Sequence, residues 1–435
     1  MRAYLATIFA PGLFACLALG CGGDDPEVDP PFVDTGGSLE VPGCDYSITT
    51  RIGAEPPRLA SKTVGLDPTP RLVHLGFSGD PRTSIVAQWR TVDEETRVTE
   101  MRWAEGEDLT ADALTEETSG IQFGYKVLGM QITRVHQVHL CGLKPGTSYS
   151  YQVGSEGHFS AVHTFHTAPD IEANPDAEVV VGVLGDTRNG FDVWQQVVEL
   201  VKSRSPDLVL FSGDAVTLGI SQPEWEEFLG RAEPLIATAP IMMVNGNHEG
   251  NAVNFHSQFA MPGNQENFGF DYGFAHFTIA NDTPDDPAVL TTTTVDFLRD
   301  ELEDSKDRRW RILSHHQPMW SASNHGSNLT LQNAWGPLVD QYELDLVVSG
   351  HEHEYEITKP LRDKLVVATP DEGTVYVVAG GAGAELYPSG SGFWTQYSES
   401  THCGSVLRIR REQMTFDTFR ADGTMIPAGF TKSKP

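Results

Sequence analysis

The sequence predicts two domains, an N-terminal all-β sandwich over residues 67–168 and a C-terminal α/β domain over residues 177–430. Three observations carry that prediction. At 435 residues the chain is too long for one ordinary domain. From Leu72 onward, short runs of alternating apolar and polar residues follow one another at 84–89, 98–103, 134–140 and 148–153, with Gly, Pro and Asp turns but no helical pattern between them. After Ala168-Pro169 the pattern becomes strand, loop, helix: 179–184 is a continuous β-branched run, as a strand buried on both faces requires.

The segments before residue 67 read differently. Met1-Arg2 leads into an apolar stretch through Leu5, Ile8, Phe9, Leu13 and Phe14 that ends at Leu17-Ala18-Leu19-Gly20-Cys21. A stretch this short, ending at small residues, is an export signal rather than a spanning helix. Its last five residues resemble a bacterial lipobox. Residues 1–20 are then a lipoprotein signal peptide and Cys21 carries the lipid, holding the protein on a membrane and facing the periplasm or cell surface. Residues 21–66, rich in Gly, Pro and Asp, are expected to form an acidic tether and irregular lead-in. In an exported chain, Cys44, Cys141 and Cys403 allow one disulfide and one free thiol, with the pairing open.

Acidic residues outnumber basic ones 60 to 30, and no Lys/Arg-rich run is present. A nucleic-acid polymer is therefore not an expected partner. Phosphate chemistry on so acidic a chain needs local positive charge, and bound metal is the strongest source of it.

The α/β half places metal-type ligands at the ends of its predicted strands, where α/β folds put their chemistry. The run 179–184 ends in Gly185-Asp186-Thr187-Arg188, and 207–211 in Ser212-Gly213-Asp214. The run 240–244 ends in Asn245-Gly246-Asn247-His248-Glu249, and 310–314 in His315-His316-Gln317-Pro318. The fifth, 344–349, ends in Gly350-His351-Glu352-His353. Singly, a Gly-Asp is usually a turn and a lone His a hydrogen-bonded structural residue. Five strand-terminal coincidences in one order point instead to a two-metal site. A carboxylate can bridge two ions, which suits Asp214. Asp186 and His353 then complete one shell, and Asn247, His316 and His351 the other. The His-x-His spacing puts His351 and His353 on one side of an extended segment, so that they reach adjacent ions. A mixed imidazole and oxygen set suits Fe, Zn or Mn. His315, next to the ligand His316 on an alternating strand end, is expected to point away.

This order of motifs resembles that of the calcineurin-like metallophosphoesterases. Gly350-His351-Glu352-His353-Glu354-Tyr355-Glu356 and the stretch from His316 to His325-Gly326 are similar to the purple acid phosphatase versions of the last two motifs. Residues 143–151 look like the turn and penultimate strand of a fibronectin type III domain, and 73–169 resemble the sandwich that precedes the catalytic domain in plant-type members. The resemblance implies a four-layer α/β/β/α catalytic sandwich and a dinuclear-metal hydrolase of phosphate esters. The activity it implies is that of an acid phosphatase-like phosphomonoesterase, acting on a small phosphorylated substrate by in-line attack of a metal-bound hydroxide. By the same resemblance His248 and His325 are the catalytic residues, placed to steady developing charge or protonate the leaving alkoxide. The alternatives are a phosphodiesterase or nucleotide hydrolase on the same site, or a non-catalytic surface-binding lipoprotein.

Two positions depart from the purple pattern. Where that group has a ligand Tyr three residues after the second Asp, this chain has Thr217, and the first motif continues with Arg188. Arg188 and Glu249 are candidate substrate-binding residues: Arg188 as a fork donor to phosphate or as a surface Arg paired with an acidic neighbour, and Glu249 as a partner that orients His248 or salt-bridges elsewhere.

Overall fold

The computed structural model describes residues 31–127, 131–263, 265–284 and 286–434, and residues 33–435 form one compact unit. The signal segment and Cys21 lie outside the described residues.

The C-terminal half is built on two sheets. In the six-stranded one, Val179–Leu184, Leu208–Phe211 and Ile241–Met243 run parallel, and Cys403–Ile409, Gln413–Arg420 and Phe430–Ser433 continue the sheet antiparallel. Phe430–Ser433 carries the domain a few residues past the expected boundary at 430. In the seven-stranded sheet, Ala275–Ile279, Trp310–Ser314, Leu346–Ser349 and Val375–Ala379 are parallel neighbours.

Side-chain alternation along these strands makes the layers. Ile312, Leu346, Val348, Val375 and Val377 join the core shared with Val181, Val183 and Leu210 of the other sheet. Their neighbours Leu313, Val347 and Tyr376 point the other way, into a second core with Leu298 and Leu302 from the helix Thr293–Asp304, Leu331 from the helix Leu329–Ala334, and Trp335 just past it. Helices Phe191–Lys202 and Gln222–Ile236 cover the first sheet through Trp194, Val197, Trp225 and Phe228. The result is the expected α/β/β/α sandwich.

The N-terminal half is all-β, as expected. Its core of Val73, Leu75, Ile85, Trp89, Met101, Val138, Tyr149 and Tyr151 lies between two five-stranded sheets. It docks on the C-terminal domain by specific bonds: the Tyr151 hydroxyl donates to the Ala237 carbonyl at 2.8 Å, His74 Nε2 to the Gln258 carbonyl at 2.6 Å, and Arg71 pairs with Glu226 at 2.6 Å.

The tether expectation for residues 21–66 is corrected over its described part. Gly37–Glu40 and Ser47–Thr50 form an antiparallel hairpin, and Arg58–Leu59 adds to the sandwich beside Ile121–Tyr125. Three long-range links hold this segment: the Cys44–Cys141 disulfide, the buried Glu55–Arg134 pair at 2.5 Å and the Arg51–Glu266 pair at 2.6 Å. Composition suggested a solvated chain, but these links and the burial of Val41 and Ala54 outweigh it. Cys403 is left free and buried. The disulfide closes a loop of 97 residues, so replacing Cys44 and Cys141 by Ser is expected to lower unfolding free energy by about 2–5 kcal/mol in a denaturant titration.

Candidate metal centre

The five ligand-bearing turns come from both sheets, so the site sits over the seam between them. Their backbones are unusual. Asp186, Asp214 and His351 all have positive φ, at 62°, 57° and 70°, as does Arg188 at 48°. Non-glycine residues held in the left-handed region concentrate where surrounding structure forces a side chain into a site. Here the forcing groups are visible. His351 N–H donates to both Asp186 carboxylate oxygens at 2.9 Å, and His248 N–H to Asp214 Oδ1 at 3.0 Å.

The candidate ligands fall into two groups that share Asp214: Asp214, His316 and His351 in one, Asp186, Asp214 and His353 in the other, with ligand atoms within 4.8 Å of one another in each. Asn247 joins the first, its Oδ1 lying 3.0 Å from His316 Nε2. His316 Nε2 also lies 3.3 Å from His351 Nδ1 and 3.2 Å from Asp214 Oδ1. Lone pairs converging at such distances call for a shared positive charge.

Backbone carbonyls set the tautomers. Since a carbonyl only accepts, Nδ1–H of His316 donates to Ser212 O at 2.8 Å and that of His353 to Glu385 O at 2.7 Å, turning each Nε2 toward the cluster. Burial holds His351 down at about 3 and His353 at about 4, so both are neutral near pH 7, the form that ligates metal. Burial works against the charged form of His316, but the Asp214 and Asp186 carboxylates outweigh it and raise its pKa. Burial, reinforced by Asp214, raises Asp186. Crowded, buried carboxylates and imidazoles of this kind fit divalent cations.

One geometric expectation is corrected. The His351-Glu352-His353 segment is not extended: it bends through the left-handed His351, with Glu352 N–H donating to the Gly350 carbonyl at 2.8 Å. The bend, not strand alternation, sends the two imidazoles to different groups. A Gly-rich loop closes the floor. Ala384 N–H donates to Asp186 O at 2.9 Å, and a Cβ at Gly380 would lie 2.1 Å from the Glu352 carbonyl oxygen.

Around the ligands, His248 donates from Nδ1 to Thr217 O at 2.7 Å, leaving Nε2 3.8 Å from Asp214 Oδ2. His325, half-exposed, has its ring 4.6 Å from that of His351 and its backbone N–H on Glu352 Oε1 at 2.7 Å. His315 does point away, pairing with the buried Asp282 at 3.0 Å.

Glu249 does not face substrate or orient His248. It is buried, and its carboxylate accepts the backbone N–H groups of Asp214, Ala215 and Gly246 at 2.8, 2.8 and 2.7 Å. Two ligand turns present unpaired donors there, and a carboxylate is the group that satisfies them. Arg188 has no carboxylate within ion-pair distance among the described residues. Sequence reasoning missed Glu352, which anchors the His325 loop, and Tyr387, whose ring stacks on His353 with centroids 4.0 Å apart and meets His325 at 5.3 Å. The one sequence signal for Tyr387 was its place just after the Gly-rich stretch at 380–384.

Residues 179–355 match the family described as Calcineurin-like phosphoesterase, and residues 70–167 match Purple acid Phosphatase, N-terminal domain. Purple acid phosphatase 21 of Arabidopsis thaliana is 26% identical over 288 residues, covering 62% of this chain and 62% of its own length. The chain thus spans less than two thirds of that relative. An uncharacterized protein of Mycobacterium tuberculosis is 25% identical over 370 residues, covering 72% of this chain and 69% of its own. The structure of a purple acid phosphatase from yellow lupin seeds shares the fold, with a TM-score of 0.70 at 20% identity over 84% of this chain and 74% of that one. Metallophosphoesterases use a dinuclear metal centre, and the two Asp/His groups here could hold one. The chain thus carries a calcineurin-like phosphoesterase domain over residues 179–355, preceded by a purple acid phosphatase-type N-terminal domain over residues 70–167.

Proposed function

We propose that this protein is a dinuclear-metal phosphomonoesterase of the acid phosphatase type, acting on a small phosphorylated substrate. The observation that carries the reading is the sharing of Asp214 by two groups of buried and half-buried ligands. Asp186, Asp214 and His353 would hold one ion and Asp214, Asn247, His316 and His351 the other, drawn from Fe, Zn or Mn. Thr217, in place of a phenolate, argues against dependence on ferric iron. When bound, the ions polarise the phosphoryl group and activate water. The chain's own groups do the rest. His248 and His325 flank the ligands with side chains open to solvent, where they can donate to the leaving oxygen. Thr217 O fixes the tautomer of His248, and Glu352 holds the loop that carries His325.

We also propose export with lipid at Cys21. The Cys44–Cys141 bridge supports it, since disulfides persist in oxidising compartments.

The test is hydrolysis of p-nitrophenyl phosphate and bis-p-nitrophenyl phosphate by the full chain, with bound metals quantified on the same samples. Monoester turnover with two ions per chain is the expected result. Preference for the diester would replace the reading with a phosphodiesterase, and a chain that takes up no metal would overturn it.

A further inference from the structure

Tyr387 and Arg188 meet at the centre without belonging to either ligand group. The Tyr387 ring lies nearly parallel to the His353 imidazole, at 14°, and its N–H donates to the His353 carbonyl at 3.0 Å. Ring and backbone together fix the phenol beside His353. The ring also makes an edge-type contact with His325, centroids 5.3 Å apart, so it touches both a candidate ligand and a candidate acid. The Arg188 guanidinium hydrogen-bonds to the Tyr387 phenol, which places it at the same corner. Its left-handed backbone and its N–H bond to Asp214 O at 3.1 Å tie it to the ligand turns. With no carboxylate in ion-pair reach among the described residues, the guanidinium keeps further N–H donors beside the phenol O–H. In a chain of net charge −30, such a pair is suited to an incoming anion.

We infer that Tyr387 and Arg188 form a phosphoryl-oxygen contact of the site, the hydroxyl and guanidinium donating to one tetrahedral anion that the centre binds as substrate or product. The inference rests on the hydrolase reading for the identity of the anion. It assigns Tyr387 to substrate, where its ring alone would suggest only a support for His353.

The variant that separates those roles is Tyr387→Phe, which keeps the stacked ring and removes the donor. Binding of inorganic phosphate is measured by isothermal titration calorimetry on the full chain, with metal content determined on the same samples. The expected result is an affinity weakened about tenfold or more in Tyr387→Phe with unchanged metal content. Arg188→Lys, which keeps the charge but loses the fork, is expected to weaken binding by a similar factor. Removal of both groups should cost less than the product of the single effects, since they hold one anion. Phosphate affinity unchanged in Tyr387→Phe would overturn the inference, as would a loss of metal in that variant. The two readings fail separately. A wild type that binds phosphate but turns over no ester sinks the hydrolase reading, while weakened phosphate binding in Tyr387→Phe still upholds this one.

Discussion

Asp214→Asn is expected to strip the protein of both ions and to lower kcat for p-nitrophenyl phosphate by about 10³-fold or more, a loss of about 4 kcal/mol of transition-state stabilisation. Asp214 belongs to both ligand groups, so its loss removes a donor from each ion. Its Oδ1 also accepts the His248 N–H, so the same change loosens a candidate catalytic side chain. Asparagine is the informative replacement. Asp214 sits at φ 57°, which Asn tolerates and Ala does not, so backbone strain stays out of the comparison. Metal analysis, turnover and a thermal melt on the same preparation read the three consequences apart. A variant that keeps both ions and stays within tenfold of wild-type turnover would remove the basis for a shared ligand.

The sequence made the catalytic half legible because its information is local. Runs such as 179–184 and 344–349 can be buried on both faces only as interior strands of an α/β fold, and the residue after such a strand falls at the functional edge. That argument locates Asp186, Asp214, Asn247, His316 and His353 without knowledge of how the strands pair. It does not say that the turns come from two sheets, since no feature of 240–244 or 310–314 marks the change of sheet.

What stayed hidden depends on partners far along the chain. The hairpin at 37–50 has two four-residue strands with half-exposed side chains, a pattern no different from a polar loop. Cys141 and Arg134, both from the strand Thr133–Cys141, anchor this N-terminal segment through Cys44 and Glu55. Tyr387 follows His353 by a long stretch of chain and reaches it only because a Gly-rich loop passes over Asp186. Glu249 was legible as a residue but not as a role, because its partners are backbone N–H groups and every residue but proline has one.

That last point makes the second large prediction. Glu249→Gln is expected to lower metal affinity and kcat/KM together by about 10–100-fold, with destabilisation of about 2–4 kcal/mol. In the wild type one buried carboxylate accepts three N–H groups, two of them on Oε2. Glutamine keeps one acceptor oxygen and sets an NH2 against whatever donors faced the other. At least one buried N–H then loses its partner, at a cost of about 1–3 kcal/mol, and the negative charge beside the others is gone. The donors left weakened belong to Asp214 and Ala215, the turn that holds φ 57°, and to Gly246 just before Asn247. Two ligands therefore shift together although neither was changed. The pattern of kinetic effects discriminates. A carboxylate that touched substrate would alter KM at saturating metal and leave metal affinity intact, whereas one that fixes the ligand turns moves metal affinity first, and excess metal restores most of the turnover.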